Sequence, residues 1–225
     1  MPRVPVRLVS WEEIVEWSKE LADKVKASGY KPDIIVAVAR GGYVPARLLC
    51  DFLDVTDLLS VQSQHWVEAA RAAEKAILKY PYKIDARGKK ILLVDDIVDT
   101  GETLLLARDY ILREWEPGEV RIAVLQWIST VAKFRPDYYH LEVRDWTWFQ
   151  YPWTRLEDTQ QFITRIFRED ERVKRGVSRE ELEKLFVEWY GVEPSSLGFY
   201  WDLALERLVE KGVLRVEDGV YKYSG

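Results

Sequence analysis

Within the stretch ILLVDDIVDTGET, positions 91 to 103, stand Asp95, Asp96 and Asp99, followed by Thr100, Gly101, Glu102 and Thr103. Where a strand hands over to a helix, successive backbone N–H groups can converge on a phosphate, assisted by the helix dipole and threonine hydroxyls; glycine lets the backbone come close. Carboxylates only accept hydrogen bonds, so Asp95 and Asp96 cannot favour the phosphate itself and instead suit the hydroxyl groups of a sugar. Together these residues describe a site for a ribose phosphate. A capping turn with solvated acids is the bland alternative, and it leaves unexplained why three acids, Thr-Gly and a buried strand coincide.

The elements that must position these residues follow from periodicity. Ile91 to Asp95 is a short aliphatic run after the polar turn Arg87-Gly88-Lys89-Lys90, which predicts a strand covered on both faces, and Thr103 to Glu114 continues as a helix. Upstream, Ser10-Trp11-Glu12-Glu13 has capping-box spacing, and Ile14, Trp17, Leu21 and Val25 recur at helical intervals up to Gly29. Ile34 to Ala39 reads as a strand, Arg40-Gly41-Gly42 as a loop, and Pro45 sits early in the next helix. Leu58 to Val61 suits a strand, Trp66 to Leu78 an alanine-rich helical or mobile insertion, Arg121 to Trp127 a strand, and Tyr138 to Val143 with Trp146 to Phe149 further sheet-like segments. Residues 1–155 therefore read as one α/β domain with a parallel sheet. Residues 156–177 read as a helical connector. From 178 to 225 come a capped helix (Ser178 to Tyr190), a second helix (Ser196 to Lys211) and two strands, Val213 to Val216 and Val220 to Tyr223, around Asp218-Gly219, an α+β order like that of a winged helix.

Composition bounds the function. With 225 residues, 48% hydrophobic and 32% charged, the chain can bury a sizeable core. No run approaches the ~18 apolar residues of a membrane-spanning helix. The start MPRVPVRLVS lacks an apolar signal-peptide core and Cys50 is the single cysteine, so a cytoplasmic location without disulfides is expected. Cys50 falls in the apolar stretch Val44 to Phe52, which suits a packed thiol. A net charge of −5 argues against general nucleic-acid binding.

VDDIVDTGET resembles the phosphoribosyl pyrophosphate (PRPP) motif of the type I phosphoribosyltransferases. The resemblance implies that Asp95 and Asp96 bind the ribose hydroxyls and that Asp99, Thr100, Gly101, Glu102 and Thr103 wrap the 5′-phosphate. An acid at position 99 is similar to the 6-oxopurine branch, where it lies near N7 of the base and handles its proton. VARGGYVPARLL, residues 38 to 49, resembles the pyrophosphate loop of bacterial xanthine-guanine enzymes, which implies that Arg40, Gly41 and Gly42 hold the departing pyrophosphate. WFQYPW, residues 148 to 153, resembles their base-binding loop, so Trp148 is expected to stack on the purine while the Phe149 backbone reads its edge. The implied fold is a parallel sheet flanked by helices, with a hood and a flexible closing loop at 62–83. The implied cofactor is Mg²⁺, carried by PRPP and pyrophosphate, and the implied partners are PRPP, a purine base and further copies of the chain, at least as a homodimer.

Three departures qualify the match. The Ser-Tyr pair of the closing loop is absent, with Ser63-Gln64-His65-Trp66 nearby and His65 read as a surface or packing residue; Thr154 stands where bacterial relatives place a metal-binding aspartate; and counting back from Pro136-Asp137-Tyr138 puts Gln126 where a lysine recognises the 6-oxo group. An amide can donate or accept, so adenine is an alternative substrate to hypoxanthine, guanine or xanthine. Lys133 is the next candidate for that contact. The tail from Ser178 to Gly225 has ten acids and six basic residues, a net of −4, which argues against a DNA reader even if the shape is winged. The leading expectation is a purine phosphoribosyltransferase of nucleotide salvage; the competing one is a non-catalytic PRPP sensor regulating transcription through its tail.

Overall fold

The computed structural model describes residues 3–67 and 74–224. Two compact units emerge, a central one of Glu12–Asp145 and a terminal one of Met1–Trp11 with Trp146–Gly225. Strand β1 (Val6–Leu8) belongs to the terminal unit, and helix α1 (Trp11–Ala27) leads into the central one. There follow β2 (Ile34–Ala39), α2 (Tyr43–Leu53), β3 (Leu58–Val67), β4 (Glu74–Lys79), β5 (Lys90–Val98), α3 (Glu102–Glu114), β6 (Glu119–Ile128) and β7 (Tyr138–Val143). The sheet runs β4-β3-β2-β5-β6-β7, parallel except for the antiparallel pair β3 and β4.

Apolar alternation explains this sheet. Ile34, Val36 and Val38 of β2, Ile91 and Leu93 of β5, and Ile122 and Val124 of β6 form one core with Leu104, Ala107, Ile111 and Trp115 from α3 and its C-cap. Trp115 is fully buried, and both its indole N–H and the Tyr110 hydroxyl donate to the Tyr82 carbonyl (2.7 and 2.6 Å), tying the chain before β5 to α3. Burying such a ring contributes roughly 1.5–3 kcal/mol. Helix α2 packs on β2 and β5. Helix α1 buries Ile14, Trp17, Leu21 and Val25, as their spacing requires. It guards the edge strand β7: the Lys24 ammonium donates to the Tyr139 and His140 carbonyls (2.8 and 2.9 Å), and Trp17 stacks on His140 at 5.2 Å.

In the terminal unit β8 (Trp148–Gln150) pairs in parallel with β1, and α4 (Arg155–Glu169), α5 (Arg179–Tyr190), α6 (Phe199–Glu210), β9 (Leu214–Glu217) and β10 (Val220–Tyr223) follow. Its core gathers Phe162, Ile163 and Ile166 of α4, Phe186, Trp189 and Tyr190 of α5, and Trp201 and Leu205 of α6. Ser178 and Glu181 form a reciprocal capping box at α5. Strands β9 and β10 are an antiparallel hairpin whose two turn residues, Asp218 and Gly219, both have positive φ. The buried Asp170 carboxylate binds the Arg172 guanidinium through two nitrogens (2.9 and 2.8 Å) and the Trp189 indole N–H (2.9 Å).

Several elements differ from expectation. Residues 66–78 are not helical where described: β3 runs on to Val67 and returns as β4 from Glu74. Alanine favours helices locally, but here cross-strand pairing decides. The side chain of His65 lies outside the described residues, as do residues 68–73. The aromatic run Trp146 to Phe149 does not extend the main sheet; its strand pairs with β1, too short to recognise in isolation. The stretch 156–177, expected as a connector, contains most of α4, whose apolar face is central to the terminal core. The second helix of the tail begins at Phe199, preceded by a 3-10 turn from Pro194 to Leu197. No helix among the described residues is long and apolar enough to cross a membrane.

Candidate active site

Strand order directs the search. The chain leaves β2 toward β3 on one side and β5 toward β6 on the other, so the direction of winding reverses between β2 and β5. Parallel sheets bind ligands outside the carboxyl ends of their strands at such a switch point. Arg40, Gly41 and Gly42 follow β2, Asp95 and Asp96 lie near the end of β5, and Asp99 to Thr103 run from that strand into α3. The two acids are part of β5, which extends three residues past Asp95.

Close approach builds the site. A side chain at Gly41 would fall on the Asp96 carboxylate, and one at Gly42 on the carbonyls of Val38 and Val94, so only glycine allows the loop to lie against β5. The Gly42 N–H donates to the Val38 carbonyl (2.9 Å), and the Ala39-Arg40 peptide is cis. Arg40 is exposed at the loop's outer edge. The Asp96 N–H donates to Asp95 Oδ1 and the Ile97 N–H to Asp96 Oδ1, each at 2.9 Å. Burial, reinforced by the neighbouring Asp96 charge, pushes the Asp95 carboxyl well above the ordinary 3.8.

The next turn leads from β5 into α3. Gly101 caps α3 with φ of 83°, and the Phe134 ring packs against it. The Thr100 N–H donates to Asp99 Oδ1 (2.5 Å), and the Glu102 N–H to the Thr100 hydroxyl (3.4 Å), so the loop's own oxygens occupy two of the donors at this helix start. Gln126 lies near the end of β6, paired with Ile97 and Leu141, its side chain fully enclosed.

These features unite the phosphate, ribose and pyrophosphate candidates in the central unit. Residues 7–157 match the family model of the phosphoribosyl transferase domain. The chain belongs to the phosphoribosyltransferase family. Among similar proteins, the xanthine-guanine phosphoribosyltransferase of Cereibacter sphaeroides is 34% identical over 155 residues, covering 64% of this chain and 84% of that protein. The enzyme of the same name from Nitratidesulfovibrio vulgaris is 30% identical over 148 residues, covering 64% and 82%. The crystal structure of a purine phosphoribosyltransferase from Pyrococcus horikoshii superposes with a TM-score of 0.58 at 30% identity, covering 65% of this chain and 93% of that one.

The remaining base candidates of this phosphoribosyltransferase chain, Trp148 and Phe149, fall in the terminal unit. Trp148 is half-buried and meets Phe162 edge to face at 5.3 Å; Phe149 is buried. The Thr154 hydroxyl donates to the buried Asp158 at 2.6 Å. Lys133, the alternative candidate for the 6-oxo contact, neighbours the turn of residues 99–103: its N–H donates to the Thr100 carbonyl (3.0 Å) and its ammonium meets the Glu102 carboxylate. No sequence signal marks this contact, which arises when the segment after β6 folds back over α3.

Proposed function

We propose that the protein is a purine phosphoribosyltransferase of nucleotide salvage, transferring ribose 5-phosphate from PRPP to a hypoxanthine, guanine or xanthine type of base. The observation that carries this reading is the seating of Gly41 against Asp96, which joins the pyrophosphate loop to the ribose acids at the switch point of the sheet. In the proposed reaction a purine ring nitrogen attacks C1′ and the bond from C1′ to the pyrophosphate oxygen breaks, its electron pair leaving with the oxygen. Asp95 and Asp96 hold the ribose hydroxyls, and the N–H groups of residues 99–103 exchange their internal acceptors for the 5′-phosphate. Arg40 and the Gly41 amide take up the developing pyrophosphate charge, the electrostatic part of catalysis, while Gly42, whose N–H is given to the Val38 carbonyl, lets the loop lie against β5. Asp99 receives the proton the base gives up. Trp148 and Phe149 are assigned to the base on the strength of the WFQYPW resemblance, and Gln126 by the position counted on β6, an assignment that requires its enclosed amide to be uncovered when the base binds.

Among the described residues no group of three or more His, Cys, Asp or Glu is placed to hold a metal alone. Two adjacent carboxylates, Asp95 and Asp96, nevertheless fit a hard cation carried mainly by substrate phosphates and water. Bound there, Mg²⁺ would offset charge on the leaving pyrophosphate. The working form is proposed to be a homodimer or larger homo-oligomer, which light scattering would measure. The deciding experiment is incubation with PRPP, Mg²⁺ and, separately, adenine, hypoxanthine, guanine and xanthine. Nucleoside monophosphate and pyrophosphate in equal amounts are expected with a 6-oxopurine; PRPP binding without turnover on any base would overturn the enzyme.

A further inference from the structure

We infer that Lys133 is a positioning residue for the phosphate loop, acting by drawing the Glu102 carboxylate away from the N–H groups that receive the 5′-phosphate. The inference rests on the ribose-phosphate reading of residues 95–103. Glu102 is the first residue of α3, where the helix dipole favours a carboxylate as it favours a phosphate. An acid at this position would compete with the ligand for the same donors, and it stands among Asp95, Asp96 and Asp99. Repulsion would then act on every incoming anion.

Lys133 answers that problem from outside the motif. The segment between β6 and β7 is anchored at both ends of its turn: the Val131 and Ala132 N–H groups donate to the Ile128 carbonyl (3.1 and 2.9 Å), and the Trp127 indole N–H donates to the Phe134 carbonyl (3.1 Å). It docks on the phosphate loop through the Lys133 N–H on Thr100 and the Phe134 ring on Gly101. The Lys133 ammonium is thereby held over α3's first turn, on the Glu102 carboxylate. Both side chains remain substantially exposed, 56% for Lys133 and 39% for Glu102, so the pair contributes little to folding. Its effect belongs to ligand binding.

The test uses the full chain and ribose 5-phosphate, which needs neither base nor turnover, with affinity read by calorimetry at low ionic strength and unfolding temperatures measured in parallel. Lys133→Ala is expected to weaken binding roughly fivefold or more with little change in unfolding temperature. Lys133→Arg should restore most of the loss. Glu102→Gln should bind more tightly than the parent, and adding Lys133→Ala to it should cost less than about twofold, because the charge Lys133 restrains is gone. In turnover the Lys133→Ala defect should appear in KM for PRPP with kcat nearly kept. A loss in the Glu102→Gln background equal to that in the parent would overturn the inference, since Lys133 would then touch the phosphate itself. Binding by Lys133→Ala within twofold of the parent would overturn it also, while leaving the site intact. Failure of the parent to bind ribose 5-phosphate would remove the ribose-phosphate reading and the inference with it.

Discussion

Asp95 carries an electrostatic cost in the folded protein. Its carboxyl is raised above 3.8 by burial and by Asp96. The folded state therefore keeps the proton longer than the unfolded state, and stability present at low pH is lost as pH rises from about 3.8 through the raised value. Asp95→Asn should raise the unfolding temperature of the ligand-free protein near neutral pH, by about 2–4 °C for each ~1 kcal/mol relieved, and flatten that pH dependence. The same variant should bind ribose 5-phosphate about tenfold or more weakly, because an amide answers the two hydroxyls with one acceptor. A variant no more stable than the parent would show that Asp95 is not strained in the empty site. Asp99 serves the reaction rather than the sugar in the proposed mechanism: Asp99→Asn is expected to lower turnover about 10²-fold or more while ribose 5-phosphate still binds. Single-turnover rates within threefold of the parent would remove it from the chemistry. Such residues were legible in the sequence because they are contiguous, three acids and a Thr-Gly in one short run. The closeness of Gly41 to Asp96 was not, since it depends on β2 and β5 becoming neighbours across an intervening helix and hairpin. Likewise the count that reached Gln126 located a position, but only the sheet shows how fully its amide is enclosed.

Elements were readable in proportion to how far their own residues determine them. Strand β2 is six consecutive buried apolar residues between turn signals, and α1 repeats its apolar positions over several turns, so both are explicit in the chain. Strand β4 contains lysines, glutamate and alanine that favour no strand by themselves; it exists through its pairing with β3. Strand β1 has three residues and exists through β8. The corner between α4 and α5 shows the opposite case, where one side chain organises the junction. Arg172 holds the Asp170 carboxyl far below the usual carboxylate range, helped by the Trp189 indole, although burial opposes this. A depressed value means the stabilisation is present above about 3.8 and is lost as pH falls through the folded value. Asp170→Ala should destabilise the protein by about 2–3 kcal/mol, largely by leaving the buried Trp189 N–H unsatisfied, with Arg172 discounted because it is half-exposed. Thermal melts at neutral pH should show a fall of roughly 5–10 °C, and the gap from the parent should narrow in strong acid. A loss below ~0.5 kcal/mol would mean that solvent replaces the carboxylate at this corner.

For the whole molecule, the family match and the compact units divide the chain differently. The match runs over residues 7–157, whereas the contacts assign residues 146 onward to the terminal unit together with the first eleven. The expected domain limit near 155 follows the motifs, which end with Pro152-Trp153; the packing follows β8, which is bound to β1. The tail keeps the element order helix, helix, hairpin, but its charge is set against nucleic acid. Little affinity for duplex DNA at physiological salt is expected, with or without PRPP, and an electrophoretic or anisotropy titration checks it. Sequence-selective submicromolar binding would revive the regulatory alternative. The pairing of β1 with β8 also sets an order of events on the ribosome. Strand β1 emerges ahead of its partner β8, which lies about 140 residues further on, roughly 7–28 s later at the usual rates of synthesis. During that interval the central sheet can begin to form as an insertion within an unfinished unit, while β1 waits with an open strand edge. The turn of residues 99–103 is thus made before β8, and until β8 arrives the edge of β1 stays open to mispairing.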